Sequence, residues 1–282
     1  MKIVAVVGAG TMGNGIVQVC AMHGYDTLMV DVADDFLQRG MKTIESSLLR
    51  MEKKGKLSAQ EKDAALGRIK ATTNFDTVRD AELVVEAVPE DMELKKEIFR
   101  KLDSLCSEDA ILGTNTSSLP VTEIASAISR PERVVGMHFM NPVPVMKGVE
   151  VIRGHETADG TVKRVLEFLH SIGKVGGVAP DYPGFITTRI LNVYLNEAVN
   201  CVLLGAKPED VDNLMVHCCN MPIGPLKLLD MVGLDVHLKV QDFLASEFGD
   251  GYKASLLTRQ MVRAGRLGMK SGKGFYNYEN KD

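Results

Sequence analysis

The 282 residues exceed the usual span of one domain, so two domains are expected. A chain that is 45% apolar and 25% charged, with net charge −4, reads as globular and excludes a general nucleic-acid binder. Its apolar runs are too short to span a bilayer, and the apolar start MKIVAVVGAG passes straight into a glycine loop, which argues against a signal peptide.

The five cysteines, an odd number without a C-x-x-C, read as reduced, cytoplasmic usage, with no disulfide framework and no metal site. In chain order, KIVAVVG (2–8), DTLMVD (26–31), ELVVEAV (82–88), AILGT (110–114) and RVVGMHF (133–139) are predicted buried parallel strands. Helical spacing fills 12–23, 34–54 and 91–105 between them, and further strands near 149–152 and 174–179 extend the sheet. This alternation predicts an α/β fold, a Rossmann-type doubly wound sheet. After the turn Asp181-Tyr182-Pro183-Gly184 the pattern changes to one long amphipathic helix, ended by Gly205, and more helices to about residue 265. The expected domains are therefore 1–182 and an all-α unit, 183–282.

GAGTMG (8–13) matches G-x-G-x-x-G at Gly8, Gly10 and Gly13, directly between a strand and a helix. Gly8 permits the tight turn, Gly10 lets a pyrophosphate approach, and Gly13 lets helix and strand pack. The helix start at Thr11 and Met12 offers free N–H groups to phosphates. Asp31, ending the second strand, suits the ribose hydroxyls and repels a 2′-phosphate, so the cofactor expected is NAD rather than NADP. GMKSGKGFY (268–276) imitates a phosphate loop but fails its spacing and follows no strand, so its lysines are expected at the solvated surface.

MHFMNPVPVMKGVEV (137–151) places His138 and Glu150 in two apolar strands around a proline turn. On residues alone the pair is either a buried structural bridge or a base with its orienting acid.

Taken together, GAGTMGNGIV, VVEAVPEDMELKKEIF, TNTSSL, HFMNPVPVMKGVEV, DYPGF and KSGKGFY resemble, in this order, the short-chain L-3-hydroxyacyl-CoA dehydrogenases, the bacterial 3-hydroxybutyryl-CoA branch above all. The resemblance covers nearly the whole chain. It implies NAD-dependent interconversion of 3-hydroxyacyl-CoA and 3-ketoacyl-CoA by a homodimer joined through the C-terminal helices. It makes His138 the base, Glu150 its orienter, Ser117 the donor to the substrate's 3-oxygen and Asn141 a support for the histidine. Asn115 becomes a contact on the nicotinamide side, and Glu90 and Lys95 become contacts to the nicotinamide ribose. For Lys95 the competing expectation is helix-surface charge. Lys53, Lys54 and Lys56 in RMEKKGK are expected to bind the phosphates of coenzyme A, against the alternative of a solvated helix end.

Three positions depart from the family pattern. Thr188 stands where relatives carry an Asn that reaches the substrate, Gly148 replaces a large apolar residue, and Lys227 replaces an acid. Thr188 leaves open a non-catalytic NAD-binding relative, and a dehydrogenase acting on a free 3-hydroxyacid is the other alternative.

Overall fold

The computed structural model describes residues 1–278. The chain divides after Phe185 into two compact units. The expected break after Tyr182 falls within the same turn, and positions 279–282 of the expected second domain lie outside the described residues.

The first unit is an eight-stranded sheet in the order β3-β2-β1-β4-β5-β6-β7-β8. Strands β1 (Ile3–Val7), β2 (Asp26–Val30), β4 (Leu83–Glu86), β5 (Ile111–Thr114) and β6 (Val134–Phe139) occupy the predicted runs. They form because β-branched residues covered on both faces stabilise a parallel sheet. β3 (Ile69–Thr72) has no counterpart in the sequence reading, for its IKAT is short, half-exposed and at the sheet edge. β7 (Gly148–Arg153) runs antiparallel to β6, and β8 (Val175–Pro180) runs parallel to β7.

Helices α1 (Thr11–Met22), α2 (Asp34–Lys53) and α6 (Asp159–Ser171) lie over one face, burying Ile16, Ile44, Leu48, Phe168 and Leu169. Over the other lie α4 (Met92–Leu105) and α5 (Val121–Ala125), with Phe99, Leu102 and Ile124 in the core. A short α3 (Ala59–Gly67), held by a Ser58–Glu61 capping box, completes a hairpin with α2. The chain order reverses between β1 and β4, and ligands of such sheets bind at the carboxyl ends beside that switch.

The second unit has helices α7 (Thr187–Leu203), α8 (Pro208–Cys219), α9 (Pro225–Val232), α10 (Leu234–Phe248) and α11 (Leu256–Arg263). Its core gathers Leu195, Ala198, Val199, Leu226 and Leu229. Among the described residues no helix is long and apolar enough to cross a membrane.

Candidate active site

At the switch point the GAGTMG loop ends β1 and opens α1. Gly8 has φ +106°, and a Cβ there would sit 2.6 Å from the Ala87 carbonyl oxygen. A Cβ on Gly13 would sit 1.8 Å from the Gly8 carbonyl oxygen. Both positions require glycine for internal reasons. Gly10 differs: no atom lies within 4 Å of its would-be Cβ, and the residue is exposed. The first turn of α1 holds no acidic residue, so nothing on that helix offsets its positive end. Thr11 and Met12 begin this turn. Asp31 accepts the Ala9 N–H and the Val32 N–H, each at 2.7 Å, which ties the acid to the glycine loop. A carboxylate has further lone pairs to offer a ligand hydroxyl. The open Gly10, the bare helix end and the acid beside them fit a dinucleotide without a 2′-phosphate.

The glycine loop near the C-terminus has the opposite construction. Asp230 accepts the N–H groups of Phe275 and Tyr276, each at 3.0 Å, and the Tyr278 hydroxyl at 3.0 Å. A Cβ on Gly274 would fall 1.9 Å from its Oδ1. The loop therefore already encloses a carboxylate of the chain, and burial raises the Asp230 pKa. One of its lysines, Lys270, is in an ion pair with Asp235 at 2.5 Å.

Beyond β4 lies a buried polar knot of which the sequence reading found only part. Glu86, fully buried, accepts from Thr114 Oγ1, the Val88 N–H and Lys95 Nζ at 2.7, 2.8 and 2.7 Å. Lys95 is 0% exposed, so the expectation of helix-surface charge is wrong for it: the apolar stripe of α4 turns Lys95 inward with Ile98 and Phe99. Its ammonium also lies 3.5 Å from Glu90. Glu90 Oε1 in turn accepts the Thr116 hydroxyl and the backbone N–H groups of Ser117 and Ser118, at 2.7, 2.8 and 3.0 Å. These donors and Lys95 hold its carboxyl below the usual range against the cost of burial. The Ser117 hydroxyl is 3.3 Å from the same oxygen, and Ser117 is exposed. Asn115 Oδ1 accepts the Phe139 N–H at 3.0 Å, joining the end of β5 to the end of β6. An acid inside an apolar strand, followed nine residues later by a lysine, was the signal for Glu86.

His138 and Glu150 are direct register partners across the antiparallel β6–β7 pair, so their side chains share one face. His138 Nδ1 lies 2.8 Å from Glu150 Oε2, and both residues are buried. An ionised carboxylate only accepts, so Nδ1 carries the hydrogen and Nε2 keeps its lone pair. The Phe185 ring, 5.9 Å away between centroids, covers the imidazole.

The structure places three further residues as follows. Asn141 is exposed just beyond the end of β6, three residues after His138. Gly148 opens β7, exposed, with no atom within 4 Å of a would-be Cβ. Lys53, the last residue of α2, is not among the residues lining the cavity described next.

That cavity, of about 480 Å³, lies among α1, α2 and the 141–145 turn. Arg50, Lys54 and Lys56 line it together with Thr11, Asn14 and Asn141, and among the described residues no acid does. Arg50 was missed as a single residue, though it begins the quoted basic run. Thr188 lies in the first turn of α7 in the second unit, where its carbonyl accepts from Asn192 Nδ2 at 2.8 Å. Lys227 donates its backbone N–H to Asp212 and places its ammonium 5.5 Å from the Tyr276 ring centroid. Among the described residues no group of three or more His, Cys, Asp or Glu side chains is arranged to hold a metal ion.

Comparison with known proteins agrees with this construction. The family model for the NAD-binding domain of 3-hydroxyacyl-CoA dehydrogenase matches residues 3–181, and that for its C-terminal domain matches 184–278. A probable 3-hydroxybutyryl-CoA dehydrogenase of Deinococcus radiodurans is 46% identical over 97% of this chain and 99% of its own. The 3-hydroxybutyryl-CoA dehydrogenase of Clostridioides difficile is 45% identical over 97% of this chain and 98% of its own. The crystal structure of (S)-3-hydroxybutyryl-CoA dehydrogenase from Ralstonia eutropha superposes with a TM-score of 0.95 at 45% identity, covering 99% of this chain and all of that one. The chain belongs to the 3-hydroxyacyl-CoA dehydrogenase family of NAD-dependent oxidoreductases.

Proposed function

We propose that this enzyme interconverts (S)-3-hydroxybutyryl-CoA and acetoacetyl-CoA, with His138 as general base and Glu150 as its orienter. The observation that carries this reading is the 2.8 Å His138–Glu150 contact, which leaves Nε2 as the lone-pair nitrogen. NAD, when bound, supplies the hydride acceptor. Gly8, Gly10, Gly13, Thr11 and Met12 would hold its pyrophosphate, Asp31 its adenosine ribose, and Asn115 the nicotinamide side.

His138 Nε2 takes the hydroxyl proton of the substrate. Glu150 then stabilises the imidazolium across Nδ1, and in the reducing direction His138 returns the proton. The Ser117 hydroxyl donates to the 3-oxygen. Glu90 holds the Ser117 loop and faces the nicotinamide ribose. Lys95, having no exposed atom, acts through Glu90 rather than on the cofactor directly. Thr188 offers one hydroxyl where relatives offer an amide.

Lys54 and Lys56, with Arg50, bind the phosphates of coenzyme A; among the described residues no acid lines the cavity, which supports this. Lys53 contributes only long-range charge. Ile190, Leu204, Leu214 and Leu256, each at least 60% exposed in the second unit, support a homodimer joined through its helices, and the five free cysteines support work in the reducing cytoplasm.

The test follows NADH oxidation on adding acetoacetyl-CoA, with acetoacetate in parallel. Turnover of the thioester alone is expected. Turnover of acetoacetate at a similar rate would place the enzyme among dehydrogenases of free acids. NADH binding without turnover on any acyl chain length would make it a non-catalytic relative.

A further inference from the structure

Lys174, in the link between α6 and β8, plays no part in the chemistry above, yet it is only 7% exposed. A buried ammonium is costly unless strong acceptors surround it. Here the acceptors are carbonyls: Nζ donates to the Val143 oxygen at 2.5 Å and to the Met146 oxygen at 2.6 Å. Both belong to the turn that carries the chain from the His138 strand to the Glu150 strand.

That turn has little else to hold it. Pro142 and Pro144 have no N–H to donate. Within it, the N–H groups of Val145 and Met146 share one acceptor, the Pro142 oxygen. Val145 and Met146 are 71% and 43% exposed, so no core fixes them. Three outside anchors remain, one of them the Val175 N–H, which the Lys147 oxygen accepts at 2.9 Å. Val143 packs so closely on α1 that a Cβ on Gly15 would fall 2.8 Å from its own Cβ, and Lys174 grips the carbonyls. The same turn, through Asn141, Pro142, Val143, Pro144 and Val145, forms the wall of the cavity facing Arg50, Lys54 and Lys56.

We infer that Lys174 is a positioning residue for the acyl-CoA substrate: by latching the Val143 and Met146 carbonyls it fixes the cavity wall against which the CoA portion binds. It touches neither substrate nor cofactor. The inference rests on the reading that this cavity receives coenzyme A.

The experiment replaces Lys174 with Met in the full-length enzyme and reads two quantities. Hydrogen exchange at the Val145 and Met146 amides reports the turn itself. Steady-state kinetics with acetoacetyl-CoA and with the shorter acetoacetyl-pantetheine report the wall. Exchange is expected to accelerate at least ~10-fold, and KM for acetoacetyl-CoA to rise about tenfold, the scale of one or two lost hydrogen bonds. The kcat on the CoA thioester, KM for the pantetheine thioester and affinity for NADH should stay within about threefold, a split that general destabilisation would not give. Unchanged exchange overturns the latch. Faster exchange with KM unchanged shows a latch without a role in binding and overturns the inference as well. If wild-type enzyme binds both thioesters equally, the assignment of the cavity to coenzyme A fails, and Lys174's role with it. Should the Met variant not fold, Lys174→Gln, which keeps N–H donors at shorter reach, reads the same split.

Discussion

Two buried histidines, one in each unit, show what separates a base from a core residue. Each bonds through Nδ1 at 2.8 Å, His138 to the Glu150 carboxylate and His237 to the Asn192 amide oxygen. The partner decides what happens when a proton arrives. A carboxylate stabilises the imidazolium, whereas an amide oxygen adds only a dipole. His237 is 1% exposed, its Nε2 is buried without a hydrogen-bond partner among the described residues, and burial pushes its pKa down to about 4. It stays neutral and serves the packing of α7 on α10. A buried histidine therefore points to chemistry only together with its partner, and that partner is legible in sequence only when strand pairing brings it opposite.

The comparison can be broken from either side. The largest effect should come from His138→Gln, which removes the base: kcat for acetoacetyl-CoA reduction is expected to fall ~100-fold or more with NADH affinity retained. Next, His237→Gln should leave turnover within about threefold and change stability against acid instead. With a folded pKa near 4 and an unfolded value near 6.5, the unfolded chain binds the proton first as pH falls. The stability that His237 contributes is thus present above pH ~6.5 and is lost as pH falls toward 4, by about 3 kcal/mol at most. Urea unfolding across that window should show the loss in wild type and not in the variant. The smallest effect belongs to Thr188→Asn, which restores the family's amide at the start of α7 and should raise kcat a few-fold, as one added hydrogen bond would. A drop instead would mean that this chain has repacked around the threonine.

Much of the first unit was readable because the strands are covered on both faces and so appear as unbroken β-branched runs. β3 escaped because an edge strand need not be apolar. Of the site, the glycine loop and the His138–Glu150 pairing could be read, since each depends on short-range spacing. The Glu86–Lys95–Glu90 knot was only half visible, because a lysine on a helix shows its charge in sequence but not its direction. The C-terminal glycine loop was set aside on its spacing and the lack of a preceding strand; the fold adds that Asp230 from α9 already fills it. Lys174 was invisible, for its acceptors are main-chain carbonyls and carry no residue signature.

The most direct test of the central claim is a double-mutant cycle on turnover: wild type, Glu150→Gln, His138→Gln and the double variant, each reducing acetoacetyl-CoA with NADH at pH 7. Glu150→Gln alone should cost at least ~10-fold through loss of the orienting charge. If Glu150 acts through His138, adding Glu150→Gln to His138→Gln should cost almost nothing further, because the group it serves is already gone. Losses that multiply across the cycle would show that the two residues act independently, and would contradict a base held by its carboxylate.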